Sequence, residues 1–260
     1  MDPDEDYVIA IPSYKRVKTL TEKTLATLKR YKVDKKKIYV FVANKEEEAL
    51  YKEGVGDSVG HIIVGELGVL EIRNFIMNYF KKGVHVVSMD DDIKQIIEYD
   101  PSTKRHEKEL DSLVKVIKRG YSECEKAGAR LWGVYSSPNG YFMKPTVTTD
   151  LKFIVGSFWG CISPGPNDDA LQIKLGGEKD DYQRSIQFWE QDGAVVRLNF
   201  ISPKTAYYKE PGGMQQDGKR LGRQRKTVKD MLKKWPQYVK MNPRRKSGFP
   251  EIRIRATRKL

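Results

Sequence analysis

The chain has 260 residues, 39% of them apolar and 10% aromatic. That excludes a wholly disordered protein and leaves room for one sizeable α/β domain with an appendage. No apolar run approaches the length of a membrane span, and the acidic start MDPDEDYVIA is unlike a secretory signal, so a cytoplasmic protein with free thiols is expected. Lys and Arg number 48 against 35 Asp and Glu, a net charge of +13. Residues 201–260 hold 18 basic and 4 acidic side chains, or +14, so the first 200 residues carry −1. A near-neutral body with a basic C-terminal segment is the pattern of a protein that meets a polyanion.

The first ninety residues alternate strand and helix signals. YVIAI (7–11) reads as a buried strand ended by Pro12. Thr19 and Glu22 have capping-box spacing before a loose Leu20, Leu25, Leu28 stripe. IYVFVA (38–43) predicts a second strand, 46–52 a short polar helix and HIIV (61–64) a third strand. Ile72, Phe75, Ile76 and Tyr79 form a helical stripe ended by Gly83, and VHVVSM (84–89) is a fourth strand. Continuous apolar strands with helices between them predict a parallel sheet covered on both faces.

Beyond Asp92 the pattern changes. An amphipathic helix is expected over 111–127, strands over 131–135, 153–162 and 194–200, a Pro- and Gly-containing loop over 136–149, and a helix over 180–191. Val228, Met231, Leu232 and Trp235 mark a last amphipathic helix whose other face carries Arg225, Lys226, Lys229, Lys233 and Lys234. A final strand is read at 252–255.

Five groups of residues could carry chemistry. Asp90, Asp91 and Asp92 stand at the end of the fourth strand, where ligands of open α/β sheets bind. Crowded carboxylates call for a cation, and hard oxygens suit Mg²⁺ or Mn²⁺. Alternation would turn Asp90 and Asp92 to one side and Asp91 to the other; an acidic turn is the alternative. Pro12, Ser13, Tyr14 and Arg16 follow the first strand at the same sheet edge. Arg suits phosphate and Tyr suits stacking on a base. Arg73 and Asn74 lie at a helix start, a place for a phosphate or ribose. Asp180 and Asp181 open another helix after Gly176-Gly177, fit either for a general base or for an N-cap cluster. Gly212 and Gly213 would let backbone approach a diphosphate or form a simple turn. His61 and His85 fall in strands and read as structural, Cys124 and Cys161 as buried thiols, and neither a P-loop nor a GxGxxG is present.

Together these residues resemble a GT-A glycosyltransferase over about residues 7–215, on PSYKR after the first strand, Arg73-Asn74, the Asp90-Asp91-Asp92 run and EKDDY at 178–182. More narrowly, the sequence resembles the phage TET-associated glycosyltransferases, relatives of the base J glucosyltransferase. The resemblance implies a GT-A fold, with a mainly parallel mixed sheet and helices on both faces, as catalytic domain over 1–215. It leaves 216–260 as a basic helical extension that contacts DNA. It implies transfer of a sugar from a UDP-sugar to the hydroxyl of a 5-hydroxymethylpyrimidine in DNA, 5-hydroxymethylcytosine first, with inversion, in the host cytoplasm if phage-encoded. Carried over by position, the metal DxD falls on Asp90 and Asp92, and the donor pocket on Pro12, Ser13, Tyr14, Arg16, Asn44, Arg73, Asp91, Gly212 and Gly213. The base falls on Asp181, with Asp180 as runner-up. Many GT-A enzymes add a late His as metal ligand; none follows His106, so Asp92, the diphosphate and water would hold Mn²⁺ or Mg²⁺.

The acceptor base must be flipped out or single-stranded to be reached. Phe158, Trp159, Tyr141 and Phe142 are stacking candidates, alongside core packing. Lys219, Arg220, Arg223, Arg225, Lys226, Lys229, Lys233, Arg244 and Arg245 would grip DNA phosphates. Two rivals share the pattern: a GT-A enzyme acting on a protein or glycan, and a nucleic-acid-binding module with an inactive GT-A site.

Overall fold

The computed structural model describes residues 7–205, 220–243 and 248–255. The chain begins with β1 (Tyr7–Pro12), then α1 (Val17–Leu20), a π-helical turn over Thr21–Leu25, and α2 (Ala26–Arg30). Next come β2 (Ile38–Val42), α3 (Lys45–Val55), β3 (His61–Val64), α4 (Val69–Tyr79) and β4 (His85–Met89). β5 (Gln95–Tyr99) and β6 (Glu107–Glu109) precede α5 (Leu113–Ala127), β7 (Leu131–Val134), β8 (Val147–Thr148) and β9 (Phe158–Ile162). α6 (Asp180–Asp192), β10 (Val196–Leu198), β11 (Ile201–Lys204), α7 (Arg220–Lys234), β12 (Val239–Met241) and β13 (Ile252–Ile254) follow.

Among the described residues, eight strands form one sheet in the order β3-β2-β1-β4-β9-β7-β10-β8. β1, β2, β3 and β4 are parallel, β9 runs antiparallel between β4 and β7, and β10 is parallel to β7. This is the expected mixed, mainly parallel sheet. Successive β1 residues serve opposite faces. Ile9 and Ile11 join a core with Leu20, Leu28, Tyr51 and Ile117, whereas Ala10 joins one with Ile76, Ile186, Val228 and Met231. Helices therefore cover both faces: α1, α2, α3 and α5 on one, α4, α6 and α7 on the other. β11, β5 and β6 make a second, three-stranded sheet, and β12 pairs with β13.

Several expectations are corrected. The capping box is absent: Arg16 takes the N-cap position of α1 with no side-chain cap. Its backbone N–H donates to the Tyr51 hydroxyl at 3.1 Å, so a tertiary contact fixes the helix entry two residues before Thr19. The strand expected over 153–162 is confined to β9. The one expected over 194–200 is confined to β10, and β11, which follows it unexpected, belongs to a different sheet. β5 pairs with β11 across about a hundred residues of chain, a partnership that local pattern does not encode. The basic C-terminal segment packs on the body through its amphipathic helix. α7 buries Gln224, Thr227, Val228 and Met231, and Trp235, Val239 and Ile252 complete the same core. Truncation after Arg220 would strip these side chains from the body.

Candidate active site

The carboxyl ends of β1 and β4 open into a cleft of about 870 Å³. It is lined by Pro12, Ser13, Tyr14 and Arg16, by Gly68 to Arg73, by Asp90, Asp91 and Asp92, and by Gly176, Gly177, Glu178, Asp180 and Asp181. Ligand sites belong at this edge of an open α/β sheet.

The β4-end turn is held by its neighbours. The π-helical turn brings Thr24 under it: the Thr24 hydroxyl donates to the Asp90 carbonyl at 2.7 Å and accepts from the Ile93 N–H at 3.0 Å. Thr27 donates to the Ile93 carbonyl at 3.0 Å. π turns inside α-helices concentrate at functional sites. Sequence reading missed these threonines; their signal was the Thr21, Thr24, Thr27 spacing beside a leucine stripe.

The three carboxylates then diverge. Asp91 is buried and accepts from the Ser13 hydroxyl at 2.7 Å and from Arg16 Nη1 at 3.2 Å. Burial pushes its carboxyl above the ordinary range, opposed by Ser13 and Arg16. Ser13 also shares a 2.7 Å bond with the Tyr51 hydroxyl, and the Lys15 N–H donates to Glu47 at 2.8 Å, so the loop after β1 is fixed from α3. Asp90 pairs with Arg73 Nη2 at 2.8 Å, while Arg73 Nη1 donates to Ser88 at 3.2 Å. Asp92 makes no hydrogen bond or ion pair with the described residues. Burial, then Asp90 and Asp91, push its carboxyl up to about 6.

At the start of α6 a second pair diverges in the same way. Asp180 lies 3.3 Å from both Arg73 Nε and Arg184 Nη1. Arg184 is buried, and its guanidinium stacks 4.0 Å over the Trp159 ring. Among the described residues Asp181 accepts only the N–H of Tyr182, at 2.9 Å. Desolvation, then the Asp180 charge, push Asp181 up to about 7 against the pull of Arg184 and Lys179. Such a value suits a general base at neutral pH.

Placement of the other expected residues varies. Asn44 does not line the cleft: its side-chain oxygen caps α3, accepting from the Glu47 N–H at 2.9 Å. Phe158 and Trp159 are buried in the core, so neither is a stacking surface, whereas Tyr141 and Phe142 are exposed. Arg220 and Arg223 line the cleft, and Arg223 pairs with Glu178. That turns two of the residues expected on DNA into the cleft. Arg225, Lys226, Lys229 and Lys233 are on the exposed face of α7. Gly212, Gly213, Lys219, Arg244 and Arg245 lie outside the described residues. The glycine pair seen in the cleft is Gly176-Gly177; a Cβ on Gly177 would come within 2.9 Å of the Leu70 nitrogen, so only glycine lets this turn meet the start of α4. His61 stacks on Tyr39 at 3.9 Å and His85 on Tyr121 at 4.0 Å, both structural, and both cysteines are buried.

Comparison with known proteins agrees with this architecture. The chain is similar to TarS of S. aureus: with its 1-349 crystal structure it shares 12% identity and a TM-score of 0.48, covering 76% of this chain and 60% of that one. With a second TarS crystal structure the values are 12% and 0.50, covering 87% of this chain and 40% of that one. A Desulfovibrio desulfuricans G20 protein, described as a nucleotide-diphospho-sugar transferase, shares 13% identity with a TM-score of 0.43, covering 74% of this chain and 79% of that one. The chain thus spans less than two thirds of either TarS chain, and at 12% identity the likeness to the second TarS structure speaks for the fold alone. No curated protein matches the sequence. The family model of the TET-Associated Glycosyltransferases matches residues 7–139, about half of the chain, from β1 through the β4-end turn to the loop after β7. With its GT-A-like sheet and its cleft at the ends of β1 and β4, the chain belongs to the TET-associated glycosyltransferase family.

Proposed function

We propose that the chain transfers a sugar from a UDP-sugar to the hydroxyl of a 5-hydroxymethylpyrimidine in DNA, with 5-hydroxymethylcytosine as the acceptor and inversion at the anomeric carbon. One observation carries the reading: a single cleft holds two carboxylates that form no ion pair with the described residues, Asp92 beside the loop after β1 and Asp181 at the start of α6. A carboxylate placed to hold a divalent cation against the diphosphate, and a separate base, are what such a transfer requires.

Pro12, Ser13, Tyr14 and Arg16 receive the nucleoside, and Arg73 with the uncapped start of α4 faces the diphosphate. Asp90 and Asp92 fit Mn²⁺ or Mg²⁺, since three carboxylates crowd this turn and Asp92 forms no ion pair with the described residues. Among the described residues no three His, Cys, Asp or Glu make a protein-only cage, so diphosphate and water complete the set. When bound, the cation supplies charge neutralisation on the departing diphosphate. Asp181 takes the proton from the acceptor hydroxyl as that oxygen attacks the anomeric carbon. The exposed α7 face, Arg225, Lys226, Lys229 and Lys233, offers phosphate contacts.

The test is direct. The protein is mixed with UDP-glucose or UDP-GlcNAc, Mn²⁺ and 5-hydroxymethylcytosine DNA, and nucleosides are weighed by mass spectrometry. A hexosylated nucleoside that vanishes with EDTA or in Asp92→Ala is the expected result. Full transfer by Asp92→Ala would remove the metal assignment, and donor turnover without DNA product would redirect the acceptor to a protein or glycan.

A further inference from the structure

β4 and β7 both run antiparallel to β9 and are therefore parallel to each other. The loop after β7 leaves the same sheet edge as the Asp90–Asp92 turn, two strand spacings away, or about 10 Å. The loops after β1, β2 and β3 lie on the opposite side of β4, which leaves the β7 side for an acceptor.

On that side Tyr141 and Phe142 are 64% and 62% exposed. They are held there by built structure. The Phe142 N–H donates to the Asn139 carbonyl at 3.0 Å, the Met143 N–H to the Gly140 carbonyl at 3.2 Å, and Met143 itself is buried. Gly140 sits against the β5–β6 hairpin so closely that a Cβ would lie 2.3 Å from the His106 carbonyl oxygen. The Tyr141 hydroxyl donates to the Lys104 carbonyl at 2.9 Å, and its ring meets His106 at 4.8 Å. Two large apolar surfaces thus face water on a braced loop, an arrangement that marks a partner.

The partner's chemistry follows from the rim. Lys104, Arg105 and Lys144 are exposed around the rings. Neither lysine pairs with a carboxylate among the described residues. Arg105 reaches only Glu107, at 3.6 Å, which Lys204 already holds at 2.9 Å. Exposed aromatics beside two lysines without ion pairs among the described residues, and Arg105 on a shared carboxylate, match single-stranded nucleic acid, where bases stack and phosphates pair. We infer that the platform formed by Tyr141 and Phe142, with Lys104, Arg105 and Lys144, binds the acceptor strand as unpaired nucleotides beside the reacting base. This rests on the DNA acceptor proposed above and assigns the base-side grip to the hairpin face instead of α7.

The experiment measures anisotropy of a labelled single-stranded oligodeoxynucleotide with the full chain, beside UDP-sugar affinity and thermal unfolding. Tyr141→Ala with Phe142→Ala is expected to weaken oligonucleotide binding at least about tenfold. Lys104→Ala with Lys144→Ala should reduce the slope of log K against log salt by about 1.4. UDP-sugar affinity and unfolding should stay as in the wild type. If the wild type binds the oligonucleotide and the aromatic double variant binds it equally well, the platform is overturned while the function stands. If the wild type binds UDP-sugar but no oligonucleotide, the DNA acceptor itself falls, and the platform with it.

Discussion

The two acidic clusters of the cleft are built alike and differ in what surrounds them. At the end of β4, Asp90 is pinned by Arg73 and Asp91 by Ser13 and Arg16, while Asp92 stays open. At the start of α6, Asp180 is pinned by Arg73 and Arg184, while among the described residues Asp181 keeps only a backbone N–H. Arg73 bridges the clusters. The β4 turn offers its open oxygen among two further carboxylates, a setting for a cation; α6 offers its open oxygen in a desolvated wall, a setting for a proton. On the proposed mechanism Asp180, paired with Arg73 and Arg184, positions while Asp181 acts, and Asp90, although paired with Arg73, joins Asp92 at the cation.

Exchanging the two α6 aspartates breaks this comparison most sharply. Asp181→Asn should lower transfer by about 10²–10⁴-fold with donor affinity unchanged, measured by nucleoside mass and titration. Asp180→Asn should instead destabilise the fold, by about 3–5 kcal/mol in a denaturant melt, because it leaves buried Arg184 without its anion. Equal effects from the two changes would collapse the distinction.

The next effect is in pH. Asp181 must be ionised to accept a proton, so transfer should rise with pH through about 7. For stability the sign reverses. The folded value is raised above the ordinary 3.8, so the unfolded chain holds fewer protons between the two values, and Asp181 costs stability as pH rises through about 7. Asp181→Asn should therefore unfold at a higher temperature than the wild type at pH 8 and lose that advantage near pH 4. An unchanged pH slope would place the titrating group elsewhere.

A smaller effect separates the exposed face of α7 from the cleft. Lys229→Glu with Lys233→Glu should weaken DNA binding and flatten its salt dependence, leaving UDP-sugar affinity intact. Arg223→Ala, which removes a cleft-lining cation paired with Glu178, should do the reverse. The smallest change tests Asn44. Asn44→Ala removes a helix cap worth about 1 kcal/mol and should leave donor affinity as it was.

The strand–helix succession through β4 and the carboxylate run at its end were legible because they are local. A buried parallel strand is a continuous apolar run, and its end is marked by the first charges after it. The sequence likewise placed Asp180 and Asp181 at a helix start and the excess charge near the C-terminus. Tertiary structure alone decided what each charge does. Arg16 meets Asp91 across 75 residues and Lys179 meets Glu251 across 72, separations at which no periodicity carries a signal. Asn44 looked like a donor contact and became a cap because its oxygen had an unsatisfied helix N–H within reach. α7 was legible as an amphipathic basic helix, but only the fold shows that its apolar stripe covers a sheet face and that Arg220 and Arg223 line the cleft. Residue types and strand ends follow from short-range pattern; which carboxylate is paired and which is open depends on the long-range packing that brings arginines to some of them.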